Sequence, residues 1–484
     1  MPDVRAGRAA VAAGSADTAA AGAAVLRAGG NAFDAVVAAG FAATVAEPGL
    51  CSIGGGGFLL AAPASGPPTV VDFFVDAPGR GRPPERLVPS FLPVTIRFPG
   101  ADQVFHAGWG SVAVPGCLDG WLHVHRRFGR LPLPDVVAPA QQLARRGAVL
   151  DPGQAVIVAV LAEILTLTDE GRAVFAPNGR LVQAGDRLRN PALADFLDDV
   201  AAGRMTRFAD LGGPLEEAMD RGGGPLTAAD VEAYAVAERP PLRHGYRGAE
   251  VAVNPPPSFG GPLVLDGLTA LEAVPDPELV DLATVLVAMS ERHLTAPTAT
   301  VRSSKGTTHI SVADADGDLA AMTVSNGSCS GVFAPGTGVQ LNNVMGESDL
   351  HPHGFTATAP GTRVGSMMTP TLLTTPDGTR VALGSGGSER IRSALTCVAT
   401  ALVDRGLSLP DAVRAPRVHW DRSTLQVEPG FPATDVAALR ERWPVGEWAQ
   451  RDFYFGGAQA VLRRPDGTVE AAADDRRGGV AVVL

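Results

Sequence analysis

The sequence changes character at residue 307, and this change restricts the folds that the chain can adopt. Before it, alanine-rich segments such as residues 15–45 carry apolar residues three and four positions apart, a spacing typical of packed helices. After it, short apolar segments alternate with turns, as in residues 308–313 and 319–325, which predicts strands. The chain is therefore expected to have a helix-rich first part and a strand-rich second part.

Composition limits the possible classes of function. The chain has 484 residues, of which 45% are hydrophobic, so a large buried core is expected. The net charge of −11 argues against a nucleic-acid partner, which would need a basic face. We find neither a signal-peptide core at the start nor an apolar run of membrane-spanning length. These features predict a cytoplasmic protein without a membrane span.

Cysteine and histidine spacing gives no sign of a metal site. The four cysteines are Cys51, Cys117, Cys329 and Cys397. They lie far apart and form no CxxC pair, so we expect isolated buried thiols rather than a disulfide framework or a zinc site. His309 and His419 show no ligand spacing, which favours structural roles. No metal or organic cofactor is expected.

A hairpin is predicted immediately after residue 307. The dipeptide Asp316-Gly317 separates two strand-like segments and is typical of a two-residue hairpin turn. Such a turn would place Thr307 opposite Asn326, whereas a three-residue loop would place Ser325 or Gly327 there. Opposite residues share a face, with Cβ atoms about 5 Å apart. The hairpin alone therefore brings the threonine hydroxyl close to polar side chains that are distant in sequence.

Two other interpretations of this hairpin were weighed. Thr307 and Ser325 could simply begin and end strands. The acidic residues Asp314, Asp316 and Asp318 could instead form a calcium loop. In that loop, however, glycine would occupy the fourth position instead of the sixth, and the twelfth residue is Ser325 instead of glutamate. The calcium site is rejected on these grounds.

The segment GTTHISVADADGDLAAMT at 306–323 resembles the start of the small subunit of γ-glutamyltranspeptidases, which are N-terminal nucleophile hydrolases. Further similar segments follow in the family's order along nearly the whole chain. They are GGNAFDAVVAAGFAATVAEPGLCSIGGGGFLL at 29–60, VAVPGCLDGWLHVHRRFGRLP at 112–132, NPPPSFGG at 254–261, PGTGVQLNN at 335–343, MMTPTLL at 367–373, GSGGSERI at 384–391 and DDRRGGVAVV at 474–483.

The resemblance implies an α/β fold, the four-layer αββα sandwich of this hydrolase group. It also implies self-cleavage between Gly306 and Thr307. The products would be a large subunit of residues 1–306 and a small subunit of residues 307–484, which together form one structural unit. The expected partners are thus the other fragment of the same precursor and a small-molecule substrate. A homo-oligomer is compatible with the sequence.

In this interpretation Thr307 is the nucleophile. A threonine hydroxyl has no base of its own, but cleavage would give Thr307 a free α-amino group with a reference pKa of about 7.7–8. Activation of threonine by its own terminal amine is a known form of nucleophilic catalysis. Gly306 puts little bulk around the bond to be cut. Thr308 is the rival nucleophile, but the family pattern places it second.

The resemblance also assigns supporting residues. Ser325 matches the hydroxyl residue that supports the nucleophile, and the pair Gly386-Gly387 matches the backbone oxyanion hole, which needs fixed N–H donors. This loop lacks one family residue before the glycines and has Glu389 inserted after them, so the donor identity is open by one position. Either Asn326 or Ser328 would replace the family's next polar residue, which contacts substrate.

The substrate pocket departs from the family pattern. Phe74 stands where the family has the arginine that binds the glutamyl α-carboxylate, and Ser366-Met367 keeps one hydroxyl of a serine pair. Glu347 matches the acid that binds the α-amino group, while its neighbouring polar site is Val344. Losing a bidentate charged contact costs roughly 2–4 kcal/mol. We therefore expect the catalytic residues to be retained and glutamyl recognition to be lost.

Three functions follow from this comparison. The preferred one is an autoprocessing threonine hydrolase or acyltransferase that acts on a substrate other than a simple γ-glutamyl compound. Family members of this kind include acylases and enzymes of secondary metabolism that hydrolyse a C–C bond in alkylproline routes. The alternatives are a genuine γ-glutamyl hydrolase or transpeptidase and an unprocessed homologue without catalysis.

Overall fold

Two antiparallel β-sheets stack face to face at the centre of the molecule. The computed structural model describes residues 7–88, 90–98, 101–293, 306–351, 354–355 and 357–484. The strands are β1 (Ala10–Ala13), β2 (Gly56–Ala62), β3 (Thr69–Phe73), β4 (Leu92–Phe98), β5 (Ala101–Ala107), β6 (Ala148–Val149), β7 (Arg187–Leu188), β8 (Ala237–Arg239), β9 (Leu242–Tyr246), β10 (Ala249–Val253), β11 (Gly306–Ala313), β12 (Leu319–Gly327), β13 (Thr371–Thr374), β14 (Arg380–Gly386), β15 (Val418–Trp420), β16 (Leu425–Val427), β17 (Val445–Glu447), β18 (Gly457–Arg463), β19 (Val469–Ala473) and β20 (Val480–Val483).

The helices of the described residues surround the two sheets. They are α1 (Ala16–Arg27), α2 (Ala32–Ala46), α3 (Cys117–Phe128), α4 (Leu133–Arg146), α5 (Pro152–Val160), α6 (Ala162–Leu165), α7 (Asp169–Phe175), α8 (Pro191–Ala201), α9 (Gly212–Gly222), α10 (Ala228–Ala233), α11 (Gly260–Glu272), α12 (Leu279–His293), α13 (Arg390–Val403), α14 (Leu409–Arg414) and α15 (Ala433–Arg440).

The layers are arranged as helix, sheet, sheet and helix. One sheet has the order β20-β1-β11-β12-β2-β3-β8 and the other β19-β18-β14-β13-β10-β9. Strand β11 of the first sheet packs on β14 and β18 of the second. Helices α1, α2 and α3 cover the first sheet, and α11, α13 and α14 cover the second. This arrangement confirms the expected four-layer αββα sandwich.

Strand β11 is buried on both faces because it lies inside this stack. All eight of its residues are buried, and successive side chains point to opposite faces of a strand. Ile310 and Val312 join the apolar core beneath α1–α4. Thr307 and His309 therefore face the second sheet. The alternation places one polar stripe of β11 between the sheets, where the candidate nucleophile lies.

The hairpin has a three-residue loop, so the expected two-residue turn was wrong. Thr307 pairs with Ser325, which was the partner predicted for the longer loop. The backbone N–H of Asp314 donates to the carbonyl of Asp318 (3.1 Å). The Asp314 carboxylate accepts the backbone N–H groups of residues 316, 317 and 318 at 2.9–3.0 Å. These three bonds stabilise the longer loop and thereby set the register.

Helix α2 begins with a capping box that also anchors the neighbouring loop. The backbone N–H of Asn31 donates to the Asp34 carboxylate (3.1 Å), and the Asn31 side chain accepts the N–H of Asp34 (2.9 Å). The same carboxylate accepts the backbone N–H groups of Arg130 (3.0 Å) and Leu131 (3.2 Å) after α3. Asp34 thus joins two helices of the outer layer.

We expect Asp34→Ala to lower the free energy of unfolding by about 2–4 kcal/mol, because several buried N–H groups lose their acceptor. A thermal unfolding scan measures this as a lower midpoint. Asp17→Ala is the matched control, since Asp17 only pairs with the exposed Arg146 at 3.6 Å and such pairs contribute little. Equal midpoints for the two variants would contradict this role of Asp34.

Candidate active site

A chain of hydroxyl hydrogen bonds connects Thr307 to the peptide bond that precedes it. Thr307 Oγ1 donates to Ser325 Oγ (3.2 Å), and Ser325 Oγ donates to the carbonyl oxygen of Gly306 (2.5 Å). The backbone N–H of Gly327 donates to the same serine oxygen (3.1 Å). Ser325 therefore contacts both the candidate nucleophile and the carbonyl that it would attack.

Only glycine fits at position 306. A methyl group on Gly306 would lie 2.2 Å from the carbonyl oxygen of Gly49 and 2.3 Å from that of Gly327. Both contacts involve backbone, which cannot move aside as a flexible side chain does. The pairing register shifts between Gly306 and Thr307, so a bulge lies at the bond between these residues.

Thr308 points away from Ser325, toward the helices. The side chains of Thr308 and Glu47 meet beside Gly14, just before α1. A methyl group on Gly14 would lie 2.6 Å from Thr308 Oγ1 and 2.3 Å from Glu47 Oε2. Glu47 Oε1 accepts a hydrogen bond from Thr18 Oγ1 (2.6 Å), and burial raises the pKa of Glu47 to about 7. This placement favours Thr307 over Thr308 as the nucleophile.

The Gly386-Gly387 pair lies beside Thr307, at the end of β14. A methyl group on Gly386 would lie only 2.1 Å from the carbonyl oxygen of Thr307. Gly387 has φ +128° and Ser388 has φ +53°, so the chain turns sharply before α13 begins. Backbone N–H groups at a helix N-terminus favour negative charge. The assignment of this turn as an oxyanion site, and the identity of its donors, stay predictions.

A small cavity of about 30 Å³ opens at Thr307. Its other lining residues are Phe74, Ser325, Gly327, Val344, Glu347, Asp349, Leu350, Ser366, Met367, Met368, Ser388 and Ile391. Space of this size holds about one or two water molecules. The structure therefore brings Thr307 and Ser325 together with the predicted pocket residues, which belong to separate parts of the sequence.

The prediction for residue 326 does not fit the structure. Asn326 is absent from the lining of this cavity, because it follows Ser325 in β12 and points to the opposite face. Its Nδ2 donates to Gln340 Oε1 (3.3 Å). Ser328, the alternative, donates through Oγ to Glu347 Oε1 (2.9 Å). Ser328 rather than Asn326 therefore contacts the acidic side chain of the cavity.

The residues that line the described part of the cavity include no arginine or lysine. Phe74 stacks on Phe58 with ring centroids 5.6 Å apart. Arg363 lies behind it and donates to the carbonyl oxygen of Phe74. The guanidinium of Arg363 is within 3.3 Å of Asp76 and 3.5 Å of Asp72. Its charge is thus balanced by those carboxylates, away from the cavity.

Two polar residues of the cavity were missed from the sequence. Ser388 Oγ donates to Asp349 Oδ2 (2.9 Å), and both line the cavity. Asp349 lies two positions after Glu347 in the segment GESDL, so an acidic pair at this spacing was a usable signal. Ser388 gave no such signal because its contact depends on the turn before α13.

His309 and His419 are unsuited to act as bases. His309 Nδ1 shares a hydrogen bond with Thr323 Oγ1 (2.8 Å), and its Nε2 shares one with Ser311 Oγ (2.9 Å). Burial lowers the pKa of His309 to about 3. His419 is bonded to Ser393 Oγ (2.8 Å), and burial lowers its pKa well below the ordinary value. Both rings have the structural roles predicted for them.

Over the described ranges, no cluster of three or more histidine, cysteine, aspartate or glutamate side chains could hold a metal ion. The four cysteines are buried and free. Among the helices described, none is long and apolar enough to cross a bilayer.

Comparison with known proteins gives extensive matches. The Gamma-glutamyltranspeptidase family model matches residues 18–287 and 284–484. An "Acylase ACY 1 proenzyme" of a Pseudomonas species is 33% identical over 515 residues, covering 96% of this chain and 91% of the relative. A "Glutathione hydrolase proenzyme" of Escherichia coli is 28% identical over 517 residues, covering 93% and 87%. The crystal structure of cephalosporin acylase from Bacillus halodurans has the same fold, with a TM-score of 0.84 at 24% identity over 100% of this chain and 97% of that one.

We expect Gly386→Ala to abolish catalytic turnover, because the methyl group would overlap the carbonyl oxygen of Thr307 and displace this candidate nucleophile. The measurement is hydrolysis of an acyl p-nitroanilide by the purified variant. Gly245→Ala is the matched control, because Gly245 lies in the same sheet, on β9, with open space around it. Normal turnover by Gly386→Ala would show that this close approach is dispensable.

Proposed function

Because the chain belongs to the γ-glutamyltranspeptidase family, and is thus a hydrolase or transferase of the N-terminal nucleophile type, we propose that Thr307 is its nucleophile after self-cleavage at Gly306. The observation that carries this proposal is the hydrogen-bond chain from Thr307 through Ser325 to the Gly306 carbonyl. The curated relatives described as proenzymes support processing into two fragments.

Self-cleavage would begin with attack of Thr307 Oγ1 on the carbonyl carbon of Gly306. The hydrogen bond from Ser325 Oγ polarises that carbonyl and stabilises the negative charge on its oxygen. The C–N bond then breaks, and the hydroxyl proton ends on the nitrogen of Thr307. The product is an ester between Gly306 and Thr307 Oγ1. Water splits this ester, leaving a carboxylate on Gly306, a free hydroxyl and a free α-amino group.

The mature enzyme would use the same hydroxyl on its substrate. The new α-amino group accepts the proton from Oγ1 as the oxygen attacks an acyl carbonyl. The N–H groups of the Gly386-Gly387 turn are the proposed donors to the oxyanion; the approach of Gly386 to the backbone of Thr307 supports this assignment. The leaving group takes the proton from the amine and departs. Water or an amine then removes the acyl group from Thr307, which completes hydrolysis or transfer.

The cavity supports a substrate other than a simple γ-glutamyl compound. Phe74 and Met367 replace polar residues with apolar ones, so a carboxylate there would lose its hydration without gaining a cationic partner. Glu347 and Asp349 supply carboxylates that suit a protonated amine or another donor. An acyl group with an amine and without a neighbouring carboxylate fits this lining best. A relative described as an acylase supports the broader proposal of acyl transfer.

The bond cleaved is an amide or a C–C bond. Hydrolysis of a C–C bond in alkylproline-type secondary metabolism remains part of this proposal, because the resemblance includes family members with that activity. A genuine γ-glutamyl hydrolase is the second candidate, and the retained Glu347, which matches the family's amine-binding acid, is the observation that favours it.

Thr307→Ala should prevent formation of the fragments 1–306 and 307–484, because the attacking oxygen is gone. A denaturing gel and intact mass measurement detect the single uncut chain. Thr308→Ala is the control and should still yield both fragments, because its side chain faces Glu47 instead of Ser325. Cleavage at 306/307 in the Thr307 variant would rule out the proposed nucleophile.

Four p-nitroanilides test recognition in the wild-type enzyme: γ-glutamyl, 4-aminobutyryl, glutaryl and butanoyl. The γ-glutamyl compound carries an amine and a carboxylate, the 4-aminobutyryl compound only the amine, the glutaryl compound only the carboxylate, and the butanoyl compound neither group. We expect kcat/KM for the 4-aminobutyryl compound to exceed that for the γ-glutamyl compound, because no guanidinium compensates the carboxylate. Removing the amine should lower kcat/KM at least about tenfold, since an amine–carboxylate contact contributes roughly 1.5–3 kcal/mol.

The opposite order would support the second candidate. If the γ-glutamyl compound is hydrolysed at least about tenfold faster than the 4-aminobutyryl compound, the site recognises the carboxylate after all.

A further inference from the structure

Arg477 is a buried arginine whose terminal nitrogens have no hydrogen-bond partner among the residues that the structure describes. Its side chain crosses the face of β18, so a methyl group on Gly457 would lie 2.6 Å from its Cδ. Nε donates to the carbonyl oxygen of Phe453 (3.2 Å). Nη1 and Nη2 make no hydrogen bond, although the residue is only 5% exposed. Unpartnered buried polar groups of this kind require an explanation.

The guanidinium ends beside the candidate oxyanion turn. A methyl group on Gly387 would lie 3.3 Å from Arg477 Nη2. A methyl group on Gly386 would lie 3.6 Å from Arg477 Nη1 and 2.1 Å from the carbonyl oxygen of Thr307. Gly386 therefore lies between the Arg477 guanidinium and the backbone of Thr307, the candidate nucleophile.

Neighbouring arginines have carboxylate partners, whereas Arg477 has none among the described residues. Arg417 pairs with Asp474 at 2.5 Å, and Arg476 pairs with Glu428 at 2.5 Å. Burial, reinforced by the nearby Arg390, lowers the pKa of Arg477 to about 9. The group thus stays protonated at neutral pH; Asp474 and Asp452 act on its charge from a distance, but neither forms an ion pair with it among the described residues. A negative charge formed next to it would be stabilised.

We propose that Arg477 is a positioning residue for acyl transfer, which places a fixed positive charge behind the Gly386-Gly387 turn and so stabilises the oxyanion of the substrate. The inference rests on the proposed function, because it assumes an oxyanion formed by attack of Thr307. The charge acts through the backbone N–H groups of the turn. Since the site is buried, little solvent screens it.

Two variants of the processed enzyme test this role. Arg477→Gln removes the charge and keeps an N–H donor for Phe453, whereas Arg477→Lys keeps the charge. The probe is whichever of the four p-nitroanilides the wild type hydrolyses fastest. We expect kcat to fall at least about tenfold in Arg477→Gln, with KM within about twofold of the wild type, and to recover to within about threefold in Arg477→Lys.

Arg392→Met is the matched control. Arg392 is also a fully buried arginine with unpartnered nitrogens, but its Nη2 donates to Ser290 Oγ of α12 at 2.7 Å. Its loss should lower the thermal midpoint and leave kcat of the folded enzyme within about twofold. A merely structural role for Arg477 would give this same pattern and would overturn the proposal.

The remaining outcomes for the two Arg477 variants also support or contradict the proposal. Wild-type kcat in Arg477→Gln, or equal losses in both Arg477 variants, contradicts a role of charge. If Arg477→Gln does not accumulate as folded protein, Arg477→Lys decides alone: kcat within about threefold of the wild type supports the proposal, and a tenfold loss overturns it. Mass spectrometry of the acylated wild type separately tests the nucleophile. A label away from Thr307 defeats the proposed function, while the kcat comparison still measures the effect of Arg477 on turnover.

Discussion

The close backbone approach around Thr307 is the constraint on which the site depends. The strand that starts at Gly306 lies against Gly49 on one side and Gly327 on another, and Gly386 lies against the carbonyl of Thr307. A side chain at Gly306 or Gly386 would separate these segments. Because the close packing is formed by backbone, the surrounding side chains are free to vary without displacing the reactive hydroxyl.

The reactive residues and the cavity wall come from different parts of the chain, which explains how catalysis and recognition could diverge. The hydroxyl pair Thr307 and Ser325 is held by the pairing of β11 with β12. The cavity wall comes from other segments, with Phe74 after β3 and Met367 before β13. Replacing an arginine by phenylalanine at such a wall changes which acyl group is stabilised. The strand pairing that holds Thr307 and Ser325 does not involve residue 74.

Much of the fold and part of the site could be predicted from the sequence, because strands, turns and family motifs are each visible in short segments of the chain. Strand alternation and turn residues predicted the hairpin, and collinear motifs predicted the sandwich and the grouping of Thr307, Ser325 and Gly386. The loop length was wrong because the Asp314 carboxylate stabilises three N–H groups instead of a tight turn. Ser388 and Arg477 could not be assigned, because their neighbours come from distant segments that only folding brings together.

The order of strands in the first sheet has a consequence for the mature protein. Strand β1 lies between β20 and β11, so a piece of the first fragment is enclosed by two pieces of the second. Once the chain is cut, the fragments cannot part without breaking a sheet. Refolding would then require two separate molecules to meet, which depends on concentration. With cleavage at Gly306, as proposed, the precursor would therefore form this sheet as a single chain before it is divided.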